Sequence, residues 1–133
     1  MTPLVVVAAI AAGALGALAR FGVTHAVHLA FPPEKLTRAV LIVNVAGSLL
    51  AGVLIGLPAP AEVQYVLLGG FAGGLTTFST WSVETIQLAL DGRRRDAALT
   101  VVANLAWGLL AALIGALGAG AVTGSLGAGG LFG

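Results

Sequence analysis

The sequence has no cysteine, which excludes disulfides, thiolate metal sites and thiol chemistry and leaves the redox compartment open. Charge is scarce as well. Lys, Arg, Asp and Glu make up 8% of the 133 residues, where soluble domains carry roughly a quarter. A net charge of +1 offers no basic surface for nucleic acid. No carboxylate pair lies in an apolar stretch, and the glycine-rich segment lacks the lysine and flanking strand of a phosphate-binding loop, so an enzyme is not expected. Apolar residues fill the chain instead: 59% are hydrophobic and the mean hydropathy is +1.07. Their runs are continuous rather than alternating, which argues against a β-barrel. A bilayer requires every backbone N–H and C=O to be bonded internally, so the expectation is an all-α membrane protein.

A spanning helix takes about 20 mostly apolar residues. Four candidate spans follow: Leu4 to Ala30, Ala39 to Leu57, Glu62 to Leu90 and Ala97 to Ala121. The first lacks a basic leader and runs too long for a signal peptide, so it reads as a retained helix. Between them lie Phe31-Pro32-Pro33-Glu34-Lys35, Pro58-Ala59-Pro60 and Asp91-Gly92-Arg93-Arg94-Arg95-Asp96, each rich in turn-forming or charged residues. Residues 1–121 are therefore expected to form one four-helix transmembrane unit, and residues 122–133 a glycine-rich tail that frays. Lys35, Arg38, Arg93, Arg94 and Arg95 flank loops one and three, while the termini and loop two hold no Lys or Arg. Positive charge stays on the cytoplasmic side, so both termini are expected outside.

Apart from histidine, Arg20 and Glu84 are the ionisable residues well inside the spans. Intramembrane charge is costly and marks functional sites by default. Arg20 is either an anchor that holds the fold or part of such a site. Glu84 shares a helix face with Thr77, Thr80 and Gln87, at steps of three and four. That stripe either glues helices together or lines an aqueous route. His25 and His28 stand near the end of the first span without the second ligand pair a metal cage needs. Asn44, within LIVNVAGSLLAG, carries two N–H donors suited to an anion or to a neighbouring carbonyl, and Asn104 poses the same choice.

Gly52 and Gly56, Gly69 and Gly73, and Gly70 and Gly74 form small-residue ridges that let helices approach closely. Packing does not explain why Gly73-Gly74 is followed at once by Leu75-Thr76-Thr77-Phe78-Ser79-Thr80. Paired glycines weaken a helix, and Ser and Thr bond the freed backbone groups, so a break is expected there. Carbonyls at such a break coordinate cations, and a half-helix start attracts anions. Phe78 and Trp81 follow, three apart on one face. They are either core aromatics or ring edges lining a path for a small anion.

GFAGGLTTFSTWSVET, Gly70 to Thr85, resembles the signature of the Fluc/CrcB fluoride channel family. An arginine in the first span and an asparagine in VNVAGS of the second stand in the matching order, so the resemblance covers nearly the whole chain. It implies a fluoride-specific channel, a passive exporter in the bacterial plasma membrane, with the third of four helices broken near its middle. The family's assembly is an antiparallel dual-topology dimer with two anion pores and a structural sodium ion held by main-chain carbonyls, whose positions match Gly73 and Thr76. The pore asparagine matches Asn44 and the first pore phenylalanine Phe78, with Thr80 and Glu84 on the polar track beside them.

This chain departs from the family pattern at several points. Trp81 stands at the second phenylalanine position, keeping a ring edge and adding an N–H donor. Thr100 and Asn104 align with a tyrosine and serine common in the fourth helix, and Val40 replaces a threonine common four residues before the asparagine. Five basic loop residues against none should fix one orientation, which suggests a heterodimer with a homologous partner of opposite bias. Two other readings stay open: a small proton-coupled exporter using Glu84, and a non-conducting subunit that completes a partner's pore.

Overall fold

A computed structural model describes residues 2–31 and 37–129 of the chain. Lys35 and its neighbours in loop one, and residues 130–133 of the tail, lie outside the described residues. All regular structure among the described residues is helical: α1 (Pro3–Ala30), α2 (Thr37–Gly56), α3 (Ala61–Gln64), a π-helical stretch (Tyr65–Ala72), α4 (Gly73–Leu75), α5 (Phe78–Leu90) and α6 (Arg94–Gly129). Three of these, α1, α2 and α6, are long and apolar enough to cross a membrane. The third expected span is not one helix. It is divided between a rod made of α3, the π stretch and α4, and the 13-residue α5.

Small residues set which elements touch. A Cβ built on Gly70 would stand 2.6 Å from the Ala9 carbonyl oxygen, and one on Gly74 would meet the Gly13 carbonyl, so α1 and the rod are in backbone contact. Gly52 and Gly56 likewise lie against the Ala112 and Ala116 carbonyls, which pairs α2 with α6. Apolar helices gain little from each other in lipid, and such close approach supplies the packing that replaces the hydrophobic effect. The Gly69 and Gly73 ridge is not used in this way, since neither residue's Cβ would approach another helix. Few side chains are buried, and large apolar ones such as Leu4, Ile10, Leu109 and Leu117 face outward, as lipid-facing residues do.

The boundaries differ from expectation in informative ways. Gly73 keeps helical dihedrals (φ −63°, ψ −40°), and the chain leaves the helix only at Thr76 and Thr77, which are extended (φ −79°, ψ 160° and φ −146°, ψ 118°). The glycines serve close packing and the wide π turns, in which the Gly73 N–H reaches back to the Leu68 carbonyl. The break falls instead on β-branched residues, whose side chains suit extended backbone. Downstream, α5 stops at a Schellman motif. Gly92 takes the left-handed conformation (φ +78°), and the Gly92 and Arg93 N–H groups bond the Ala89 and Leu88 carbonyls at 3.2 and 2.9 Å. The last helix begins at Arg94 and continues to Gly129, past the expected boundary at Ala121.

Candidate functional site

The break is held by a side chain that imitates a β-strand. An extended residue presents its N–H and C=O to the same side, and the Asn44 carboxamide of α2 takes both from Thr77. The Thr77 N–H donates to Asn44 Oδ1 at 2.9 Å, and Asn44 Nδ2 donates to the Thr77 carbonyl at 3.3 Å. Asn44 Nδ2 also donates to Asn104 Oδ1 at 3.0 Å, and Asn104 Nδ2 donates to the Thr100 carbonyl at 3.0 Å. Both amide hydrogens of Asn44 thus have protein acceptors. A neighbouring carbonyl, one of the two partners considered for Asn44, is thus within its reach.

Thr77 is 6% exposed, and its hydroxyl starts the next helix. Its Oγ1 accepts the Thr80 N–H at 3.2 Å and donates to Thr80 Oγ1 at 3.0 Å, an N-cap that satisfies one of the free donors of α5. Arg20, from α1, reaches the other side of the break, where its Nη1 donates to the Thr76 carbonyl at 3.0 Å. Gly73 would normally accept the Thr77 N–H. Because that N–H goes to Asn44, the Gly73 carbonyl keeps only the Thr76 hydroxyl, at 3.4 Å.

Two cavities meet at Thr77. One, of about 300 Å³, is lined by Asn44, Ser48, Thr76, Thr77, Phe78, Trp81, Asn104 and Leu105. The other, of about 330 Å³, lies toward the basic-loop ends of α1, α2 and α5. Its polar lining comprises Arg20, Thr24, His28, Thr77, Thr80 and Glu84. Val40 contributes an apolar patch to that wall. Arg20 and Glu84 share this cavity without forming an ion pair. Thr100 lines a smaller recess with Arg38 and Asn104.

Phe78 and Trp81 meet edge to face, with centroids 5.3 Å apart and planes at 62°, and Phe78 is 76% exposed. The Trp81 indole nitrogen and Glu84 Oε2 are buried without a hydrogen-bond partner among the described residues. His25 stacks on Phe21 of its own helix, while His28 belongs to the cavity wall. The structure therefore gathers Asn44, Phe78, Trp81 and Asn104 in one cavity and Arg20, Thr80 and Glu84 in the next. Ser48 and Thr24 were not singled out from sequence, and His28 was weighed only as a metal ligand. Ser48 carries a readable signal, since it lies four residues after Asn44 on the same face of α2.

Comparison with known proteins supplies the frame for this geometry. The chain is 44% identical over 110 residues to a protein of Natronomonas pharaonis named fluoride-specific ion channel FluC 2, covering 82% of this chain and 90% of that one. It is 39% identical over 130 residues to fluoride-specific ion channel FluC 1 of Leifsonia xyli subsp. xyli, covering 95% and 90%. A Mycobacterium tuberculosis protein named fluoride-specific ion channel FluC 2 is 39% identical over 107 residues, covering 77% and 81%. Residues 7–116 match the family described as CrcB-like protein, Camphor Resistance (CrcB), and the chain belongs to that family.

Proposed function

We propose that this chain is a subunit of a fluoride-specific channel that lowers cytoplasmic fluoride by passive export across the bacterial plasma membrane. The observation that carries the reading is the cavity at the helix break, where amides, hydroxyls and aromatic edges converge without a fixed charge. The printed names of its relatives support fluoride as the ion. An anion held by ring edges and hydroxyls is bound weakly enough to leave again, which conduction requires. Arg20, in the adjoining cavity, supplies the positive field that draws anions toward the break. In this reading Asn44, Phe78, Thr80, Trp81, Glu84 and Asn104 line the route, and the chain performs no covalent chemistry.

The working unit is a dimer of opposed subunits, each crossing the membrane four times with the rod and α5 together as the third crossing. The exposed Phe78 ring supports a second subunit at this face. Five basic loop residues on one side against none on the other favour a homologous partner of opposite orientation over a second copy.

A structural sodium ion fits the two backbone carbonyls of the break. That of Gly73 has lost its helical partner, and that of Thr76 has one lone pair left beside the Arg20 bond. All-oxygen shells suit hard cations, and one chain supplies only part of such a shell, so the rest comes from the partner. When bound, the ion would add positive charge near the anion route.

A second reading, a non-conducting subunit that completes a partner's pore, is favoured by the engagement of both Asn44 amide hydrogens within the chain. Proton-coupled export through Glu84 is the third and predicts uptake driven by a pH gradient. Fluoride efflux from liposomes separates them, with chloride as control and with or without the homologous partner. Fluoride-selective release is expected; none in either arrangement overturns the channel.

A further inference from the structure

The structure assigns Asn104 a positioning role: it acts through Asn44 to set where α5, with Phe78 and Trp81, restarts after the break. The inference rests on the channel reading for its functional meaning and on four hydrogen bonds for its geometry. An asparagine amide can face either way, and something must choose. The Thr100 carbonyl accepts only, so it holds Asn104 with its NH2 toward α6 backbone, at 3.0 Å. Asn104 Oδ1 must then face α2, where it accepts from Asn44 Nδ2 at 3.0 Å. That turns Asn44 Oδ1 toward the Thr77 N–H, 2.9 Å away. Reversed, Asn44 would set its NH2 against the Thr77 N–H, two donors facing each other in a site that is 6% exposed.

The chain of contacts therefore runs from a carbonyl of α6, through two amides, to the extended residue that caps α5. Thr77 holds the Thr80 N–H, so a displaced Thr77 moves the first turn of α5 and the rings on it. Asn104 lines the cavity beside Trp81 and Phe78, yet its oxygen and one amide hydrogen are bonded to protein. Its effect on an anion is exerted through the placement of those rings.

The experiment uses Trp81 as its own reporter. Trp107 is 55% exposed and outside the two cavities at the break, so Trp107→Phe leaves Trp81 as the single tryptophan of the chain. In that background, Trp81 emission and acrylamide quenching are measured without fluoride for Asn44→Ala, Asn104→Ala, the double variant and Asn104→Ser. Fluoride efflux from liposomes is measured on the same preparations. Asn104→Ala and Asn44→Ala are each expected to shift the Trp81 spectrum and to lower efflux about tenfold, the loss that follows from orphaning a buried donor. The double variant should match Asn44→Ala, because residues acting in series do not add. Serine can accept from Asn44 and donate to Thr100, so Asn104→Ser should recover both the spectrum and most of the efflux. An unchanged Trp81 spectrum in Asn104→Ala, with an efflux loss that multiplies with that of Asn44→Ala, overturns the proposal and makes Asn104 a direct anion contact. Should the parent protein release no fluoride with or without the homologous partner, the channel reading fails while the spectral series still decides the relay.

Discussion

Removing the Asn44 carboxamide tests whether one side chain holds the broken helix. In Asn44→Ala, Thr77 loses partners for both its N–H and its C=O, and Asn104 Oδ1 loses its donor. Three interhelical hydrogen bonds in a membrane interior are worth about 0.6 kcal/mol each, or about 2 kcal/mol together. The Thr77 N–H is then orphaned in a site that is 6% exposed, which adds about 1 kcal/mol at the low end of the range for an unsatisfied buried donor. A destabilisation of about 3 kcal/mol is therefore expected. Asn44→Asp should be at least as damaging, since a carboxylate keeps an acceptor for the Thr77 N–H but faces the Thr77 and Asn104 oxygens with no donor. Reversible unfolding in mixed micelles, titrated with denaturing detergent and followed by circular dichroism, gives the free energies. If Asn44→Ala unfolds within about 0.5 kcal/mol of the parent, the ordinary scatter of inconsequential substitutions, the pairing with Thr77 does not hold the break.

Gly52→Ala would drive a methyl into the Ala112 carbonyl, whereas Gly118→Ala meets nothing within 4 Å. The first should cost about 1–3 kcal/mol by forcing α2 from α6 and the second should be neutral or slightly stabilising, read by the same unfolding titration. Gly92→Ala places a Cβ at φ +78° in the Schellman turn, so a loss of about 1 kcal/mol is expected; a stability equal to the parent would contradict it. Arg20→Gln removes the fixed cation of the larger cavity. Fluoride efflux should fall about tenfold at low ionic strength, with a deficit that narrows as an inert salt is added.

Much of this was legible because membrane chains declare themselves by composition. Continuous apolar runs locate α1, α2 and α6, and the ridges Gly52/Gly56 and Gly70/Gly74 do make helix contacts. A glycine-rich segment is weakly helical on propensity alone, so sequence does not carry α6 as far as Gly129, where the helix ends. Local propensity brackets the break only within Gly73 to Thr80, where paired glycines weaken a helix and Ser and Thr bond the freed backbone groups. Its actual position at Thr76-Thr77 depends on Asn44, 33 residues away in sequence, and no local pattern reports that. The π turns were invisible for the same reason. The Arg20 bond to the Thr76 carbonyl joins residues 56 apart; sequence flagged both residues without pairing them.

A helix broken at membrane depth must place every polar group that it frees. Here several of the strong donors at the break bond within the protein. The Thr77 N–H goes to Asn44, the Asn44 amide to Thr77 and Asn104, and one Arg20 N–H to Thr76. Each brace comes from a different helix, so the break can persist only while α1, α2 and α6 are docked around it. Beside the edge of Phe78 and the hydroxyls along the two cavities, the Trp81 indole N–H has no protein partner among the described residues. Engaging the Asn44 amide suits conduction, because a small, strongly hydrated anion facing an unengaged amide pair would be held too tightly. The Gly73 carbonyl keeps a single hydroxyl at 3.4 Å. It and the Gly74 and Leu75 carbonyls, whose helical N–H partners would lie beyond the break, are the acceptors there with capacity for a further partner.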